Sequence, residues 1–278
     1  MRYVRVETVS EILDGLQEDG ARLLAGGTDL IVKMRSGLAA PTLLIDVSGV
    51  ASLQGVVEAD GVIEIGATTP EEDLLASPIL RDRLPLLTTV LRVLGSVQIR
   101  TRGTLGGNLV NASPAADSAV PLLLYDAEVV LVGRERQRVL PVERFLLGPG
   151  KTDLEPGEFV RAVRVPTPQE PFAPFFHKVG KRRALTIAIA SVGGLIRLKG
   201  KRVLEARFAA GSVAPVPLRL RQVEEALRGA ILGEETLRAT AQLAKDSVSP
   251  ISDVRASADY RRSVVGSLVA RALRSALA

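Results

Sequence analysis

The chain has 278 residues, 46% of them apolar and 24% charged, with a formal net charge of +5. That is the balance of a globular protein with a sizeable core, in two domains or one elaborate one. It contains no cysteine and a single histidine, His177, which excludes disulfides, thiolate zinc sites, cysteine-ligated iron–sulfur clusters and multi-histidine metal sites on this chain, so redox chemistry here needs an organic cofactor.

No apolar run approaches the roughly 20 residues that cross a bilayer, and no segment reads as a signal peptide. The expectation is a soluble, cytoplasmic protein without membrane insertion. The densest basic run, Lys178-Val179-Gly180-Lys181-Arg182-Arg183, reads as a solvated face. With aromatics at only 3% and no tryptophan, nucleic acid is not an expected partner.

In chain order, Met1-Arg2-Tyr3-Val4-Arg5-Val6 alternates like a strand. Residues 8–16 form an amphipathic helix with Ile12, Leu13 and Leu16 on one side and Gly20 as its stop signal. A short strand at 22–25 runs into a first glycine pair, followed by a helical segment at 30–34 and a buried strand at 43–45. Val56-Val57-Glu58 and Val62-Ile63-Glu64-Ile65 flank Asp60-Gly61, a hairpin signal. Thr69-Pro70-Glu71-Glu72 reads as an N-cap, a proline at the first helical position and a glutamate closing a capping box. A helix at 84–94 ends at Gly95, a second glycine-rich loop spans 103–108, and Ser113-Pro114 opens another helix. Segments 129–132 and 138–140 pair as a hairpin.

Pro166, Pro168, Pro171 and Pro174 mark a boundary, giving a region 1–173, subdivided near residue 55, and a domain 174–278. The second begins with a long hairpin, 185–198 and 202–209 about Lys199-Gly200. Helices at 221–228, 234–248 and 258–277 follow, the last with apolar residues at 260, 264, 265, 268, 269 and 273. The fold class is α+β, a two-part region of mixed sheets and helices followed by a domain with an antiparallel sheet and packed helices.

The chemistry concentrates in the two double-glycine loops, Ala25-Gly26-Gly27-Thr28-Asp29 and Thr104-Leu105-Gly106-Gly107-Asn108. Paired glycines admit positive φ and put no Cβ in the way, so backbone N–H groups can converge on an anion. Thr28 and Thr104 add hydroxyls, Asn108 adds an amide, and a helix starting near Asp29 points its positive end to the same place. Neither loop is a Walker or Rossmann glycine motif. By residue type alone the pair defines an anion or nucleotide site, and Gly107→Val is expected to remove the ligand.

The flanking residues say more. Ala25-Gly26-Gly27-Thr28-Asp29-Leu30 and Arg100-Thr101-Arg102-Gly103-Thr104-Leu105-Gly106-Gly107-Asn108-Leu109, continued by Asn111-Ala112-Ser113-Pro114-Ala115-Ala116-Asp117, resemble the paired signatures of the FAD-binding medium subunit of molybdenum hydroxylases. Carbon monoxide dehydrogenase and xanthine dehydrogenase are of this type. Gly211-Ser212-Val213-Ala214-Pro215-Val216-Pro217-Leu218-Arg219 and Asp253-Val254-Arg255-Ala256-Ser257-Ala258-Asp259-Tyr260-Arg261-Arg262 resemble its C-terminal domain. The likeness runs in order through essentially the whole chain.

The resemblance implies an oxidoreductase subunit carrying FAD. Leu24, Ala25, Gly26, Gly27, Thr28, Asp29 and Leu30 would line the pyrophosphate and part of the flavin, with Thr104, Leu105, Gly106, Gly107 and Asn108 as the second wall. Asp117 would contact the ribitol or ribose hydroxyls, Leu154 the flavin, and Lys178 would sit near its ring. Read without the resemblance, Asp117 is a capping carboxylate, Leu154 a core leucine, Lys178 a surface charge and His177 a solvent-facing strand residue. The implied partners are a molybdopterin-binding large subunit, an iron–sulfur small subunit and an electron acceptor such as NAD, a quinone or another carrier. No side chain stands out as a general acid or base, and no metal site is expected. A self-contained flavin oxidase or reductase and a non-catalytic nucleotide-binding module are the alternatives. The sequence departs from the family at Pro149-Gly150-Lys151 and around Leu185-Thr186, which touches the flavin's outer face and not the pyrophosphate grip.

Overall fold

The computed structural model describes residues 1–182 and 186–277. The chain begins as a small parallel sheet in which Leu43–Asp46 lies between Arg2–Arg5 and Arg22–Leu24. The helix Val9–Gly15 makes the first crossover and buries Ile12 against Ile45, Val47 and Leu53. Its start is set by Thr8, whose hydroxyl accepts from the Glu11 amide while the Glu11 carboxylate accepts from the Thr8 amide, a reciprocal capping box. In a parallel sheet, ligands gather beyond the carboxyl ends of the strands. The chain leaves the carboxyl end of Arg22–Leu24 directly into Ala25-Gly26-Gly27, and the helix Leu30–Arg35 follows.

The second sheet is antiparallel and five-stranded, in the order Val56–Ala59, Val62–Gly66, Phe159–Pro166, Glu128–Val132, Gln137–Pro141. Its outer hairpins are those expected. Its central strand, Phe159–Pro166, has no counterpart among the predicted elements, because Arg161 and Arg164 interrupt the apolar pattern. Both arginines pair at 2.9 Å with Glu64 on the neighbouring strand, which lets them sit inside a sheet. Short helices between residues 71 and 124 cover this sheet with a leucine-rich core.

Two helix starts differ from expectation. Thr69 caps nothing: its hydroxyl donates to the Gly66 carbonyl at 2.7 Å and accepts from the Gly55 amide at 2.9 Å. The helix therefore begins at Glu71 with Pro70 as its N-cap, and Glu72 pairs with Arg100 instead of turning back. Ser113-Pro114 forms a turn, and the next helix is Ala119–Leu124.

The third sheet is antiparallel, Ala173–Val179, Ala190–Lys199, Arg202–Gly211 and Leu218–Arg219 in order. The expected hairpin is present with a later start. Its predicted first residue, Leu185, and Arg183 of the basic run fall outside the described residues. The helices Arg221–Leu227, Glu234–Asp246 and Ala258–Ser275 pack on one face, where Val192, Ile196 and Phe208 meet Val265, Leu268, Val269 and Leu273. The other face rests on Ala119–Leu124. A Cβ on Gly193 would come within 2.6 Å of Val120, so glycine permits this close packing. The fold is thus α+β, with the prolines between 166 and 174 linking the five-stranded sheet to the four-stranded one.

Candidate cofactor cavity

A cavity of about 940 Å³ opens between the two glycine loops, near the upper end of the range for small-molecule sites. Leu24, Ala25, Gly26, Gly27, Thr28, Asp29 and Leu30 form one wall, and Thr104, Gly106, Gly107 and Asn108 the other. Leu154 faces the cavity and also packs on the main core, so both readings of that residue describe part of its surface. Gly150, from the departing Pro149-Gly150-Lys151 segment, is on the rim.

The two loops touch. A Cβ on Gly26 would overlap the Arg102 carbonyl, so only glycine lets the first loop close on the second. Gly27 has φ +74°, the left-handed conformation that turns successive amides to one side. Among the described residues, the amides of Gly26, Gly27, Thr28 and Asp29 donate to no protein acceptor. They open beside the N-terminus of the helix Leu30–Arg35, a polarity suited to phosphate oxygens.

The second loop works differently from the expected convergence of amides. Gly106 N–H donates to the Ala67 carbonyl at 3.0 Å, and Gly107 N–H donates to Thr104 Oγ1 at 3.2 Å. A Cβ on Gly106 would lie 2.7 Å from that same Ala67 oxygen. These glycines allow close packing and do not offer donors. What the second wall presents is side-chain chemistry. Asn108 Oδ1 accepts from Ser118 Oγ at 2.8 Å, which leaves its amide nitrogen to donate. Thr104, as N-cap of Leu105–Asn111, keeps its hydroxyl proton. Thr104→Ala is expected to cost about 1 kcal/mol of stability through the lost cap, a fall of roughly 2–4 °C in Tm by differential scanning calorimetry. An unchanged Tm would contradict the capping role.

Three expected site residues stand off the cavity wall. Leu105 points into the core between the glycine loop and the sheet, because position N1 of its helix faces the leucine cluster. The side chains of Asp117 and Lys178 are both buried and form an ion pair of 2.7 Å one residue before Ser118, the partner of Asn108, with Lys178 Nζ also donating to the Val93 carbonyl at 2.7 Å. Asp117 therefore caps no helix, and Lys178 is not a surface charge. Burial pushes the Asp117 carboxyl up, and Lys178 opposes it by charge and hydrogen bond. Asp117 Oδ1 is sealed from solvent with no protein partner. His177 is half-buried on its strand, away from the cavity, and is shifted down by burial and by Arg271.

Glu71 is the residue that motif reading missed. It lines the cavity between the two loops, only 1% exposed. Burial is the largest influence on its carboxyl, pushing it up to about 7, with Arg100 opposing and Asp29 and Asp117 adding to the push. Its only sequence signal was a place in an expected capping motif. Lys33, whose Nζ donates to Asn111 Oδ1 at 2.6 Å, adds a cation to the same wall.

Free loop amides at a helix start, a deep cavity and a polar second wall define a nucleotide-cofactor protein. Comparison with known proteins makes this specific. The FAD binding domain in molybdopterin dehydrogenase matches residues 1–168, and the CO dehydrogenase flavoprotein C-terminal domain matches residues 175–276. The chain is 35% identical over 258 residues to the carbon monoxide dehydrogenase medium chain of Hydrogenophaga pseudoflava, covering 93% of this chain and 90% of that one. It is 33% identical to the glyceraldehyde dehydrogenase medium chain of Sulfolobus acidocaldarius, covering 98% of this chain and 96% of that one. The solved structure of carbon monoxide dehydrogenase from Hydrogenophaga pseudoflava superposes with a TM-score of 0.95 at 34% identity, covering 99% of this chain and 96% of that one. The chain belongs to the FAD-binding medium-subunit family of the molybdenum hydroxylases. It is an FAD-binding oxidoreductase subunit.

Proposed function

We propose that FAD occupies the cavity between the glycine loops, with its pyrophosphate on the free amides of Gly26, Gly27, Thr28 and Asp29. The observation that carries this is that these amides have no protein acceptor among the described residues while their residues line a cavity of about 940 Å³. Asn108 and Thr104 supply neutral donors from the opposite wall, and Leu24, Leu30 and Leu154 exclude water from the apolar parts of the cofactor. Region 1–173 would hold the cofactor and 174–278 would complete the subunit, contributing Lys178 to the pair with Asp117, next to the Ser118 that bonds Asn108.

FAD, when bound, supplies the exchange between two-electron and one-electron carriers. In the route we infer, a molybdopterin-binding large subunit oxidises the substrate, an iron–sulfur small subunit delivers electrons to FAD, and an acceptor such as NAD, a quinone or another carrier receives them. The composition supports this division of labour, since a chain with no cysteine provides no thiolate ligand for a cluster. The test is anaerobic. Substrate should bleach the flavin absorbance of this chain when the two partner subunits are present and leave it unchanged in their absence. Bleaching without partners would favour a self-contained flavin enzyme, and bound FMN or no flavin would overturn the reading.

A further inference from the structure

Glu71 is buried on the cavity wall, at 1% exposure, and unlike Glu158 on the same wall, which pairs with Arg138 at 2.7 Å, it has no cation bound to it among the described residues. Its backbone amide donates to the Gly103 carbonyl at 2.9 Å, which pins the residue against the second loop. A Cβ on Gly103 would fall 3.0 Å from Glu71 Oε2, so the carboxyl packs closely over the Cα of a glycine. Among the described residues its carboxyl makes no hydrogen bond. The nearest cation is committed elsewhere, since Arg100 Nε donates to Glu72 at 2.7 Å and Arg100 Nη1 to the Leu94 carbonyl at 3.1 Å.

We propose that Glu71 is a proton-bearing contact to FAD: in the bound state its carboxyl is neutral and donates its O–H to an acceptor atom of the cofactor, so that FAD binding takes up a proton. This rests on FAD occupying the cavity. A polar group at so buried a position gains from a partner, and a cofactor in the cavity that Glu71 lines would bring one to it. An ionised carboxylate offers acceptors only, and FAD brings a diphosphate into the same space, so both cofactor and carboxylate would be anionic.

The charged groups that face Glu71 are Arg100 on its short helix, Asp29 at the start of Leu30–Arg35, and Asp117 with its partner Lys178. Of these only Arg100 and Lys178 are cationic, and each is held by its own carboxylate. In the free protein burial pushes the Glu71 carboxyl up to about 7. Protonation is therefore available at neutral pH and lost above it, so the affinity for FAD falls as pH rises through that region.

The experiment is a fluorescence titration of the flavin-free full chain with FAD between about pH 6 and pH 8.5. One linked proton predicts a Kd that rises about 30-fold across this range. Glu71→Gln, which keeps a donor and cannot ionise, should bind at every pH with the affinity of the wild type at the acid end. Glu71→Ala should also be flat in pH but weaker. Calorimetry of wild-type binding in two buffers of different ionisation enthalpy reads the proton directly and needs no variant; uptake should approach one proton per FAD near pH 8. A wild-type Kd that does not change with pH, an unaltered slope in Glu71→Gln, or no proton uptake would each overturn the proposal. The assignment of the cavity fails separately, if Gly26→Val binds FAD as tightly as the wild type.

Discussion

Gly26→Val is expected to leave the chain without bound FAD. The new Cβ would overlap the Arg102 carbonyl, so the two loops have to part before the side chain fits. Overpacking of this kind costs about 1–3 kcal/mol of stability. Affinity should suffer more, since the amides of Gly26 and Gly27 move with the loop and each charge-assisted hydrogen bond contributes about 1.5–3 kcal/mol. Losing two predicts a Kd weaker by roughly two to four orders of magnitude. Equilibrium dialysis against FAD would measure this, with a thermal melt of the flavin-free protein to show that it still folds.

Gly107 makes the instructive comparison. A Cβ there meets only Thr104 Oγ1, at 2.9 Å, and the Gly107 amide is already bound to that hydroxyl. Gly107→Ala should weaken binding several-fold and no more. The stronger loss that the motif alone predicts for Gly107→Val moves to Gly26, because the first loop carries the free amides. Equal losses at Gly26 and Gly107 would show that the second loop also gives its amides to the cofactor.

Lys178→Met is expected to have the largest effect on stability. It removes the ammonium from a carboxylate that is buried and has one oxygen without any protein partner. Breaking a buried pair from one side costs about 3–5 kcal/mol, most of it the uncompensated charge that remains. For a protein of this size that is a fall of roughly 10 °C in Tm. Adding Asp117→Asn should recover much of the loss, and a double-mutant cycle would read the coupling. The sign of the pH dependence follows from burial, which holds the Asp117 carboxyl above its ordinary range. Without Lys178 that upward push is unopposed by charge. The variant's deficit should therefore be small below the ordinary carboxylate pKa, where native and unfolded forms are both protonated. It should grow as pH rises to the raised native value and be complete above it. Chemical denaturation at several pH values would test this; a deficit that does not vary with pH would assign the loss to packing.

Much of the fold was legible because the information was local. The Asp60-Gly61 turn between alternating strands and the helical spacing of Val265, Leu268, Val269 and Leu273 each depend on neighbours a few residues away. The unread central strand Phe159–Pro166 depends on Glu64, about a hundred residues distant, to pair with its two arginines. Thr69 and Glu72 looked like a capping pair because the local pattern was satisfied. In the fold, the Gly55 turn and Arg100 offered better partners.

The same division runs through the site. The sequence by itself marked two glycine loops as an anion or nucleotide site, and its ordered motifs pointed to FAD, because glycine requirements and flanking residues are written along the chain. Tertiary structure alone decided how the work is shared between them. Gly26 is needed for contact with Arg102, Gly106 spends its amide on Ala67, and Asp117 and Lys178, 61 positions apart, are joined only by folding. Burial, which no single residue carries, put Glu71 on the cavity wall and moved its proton into the neutral range.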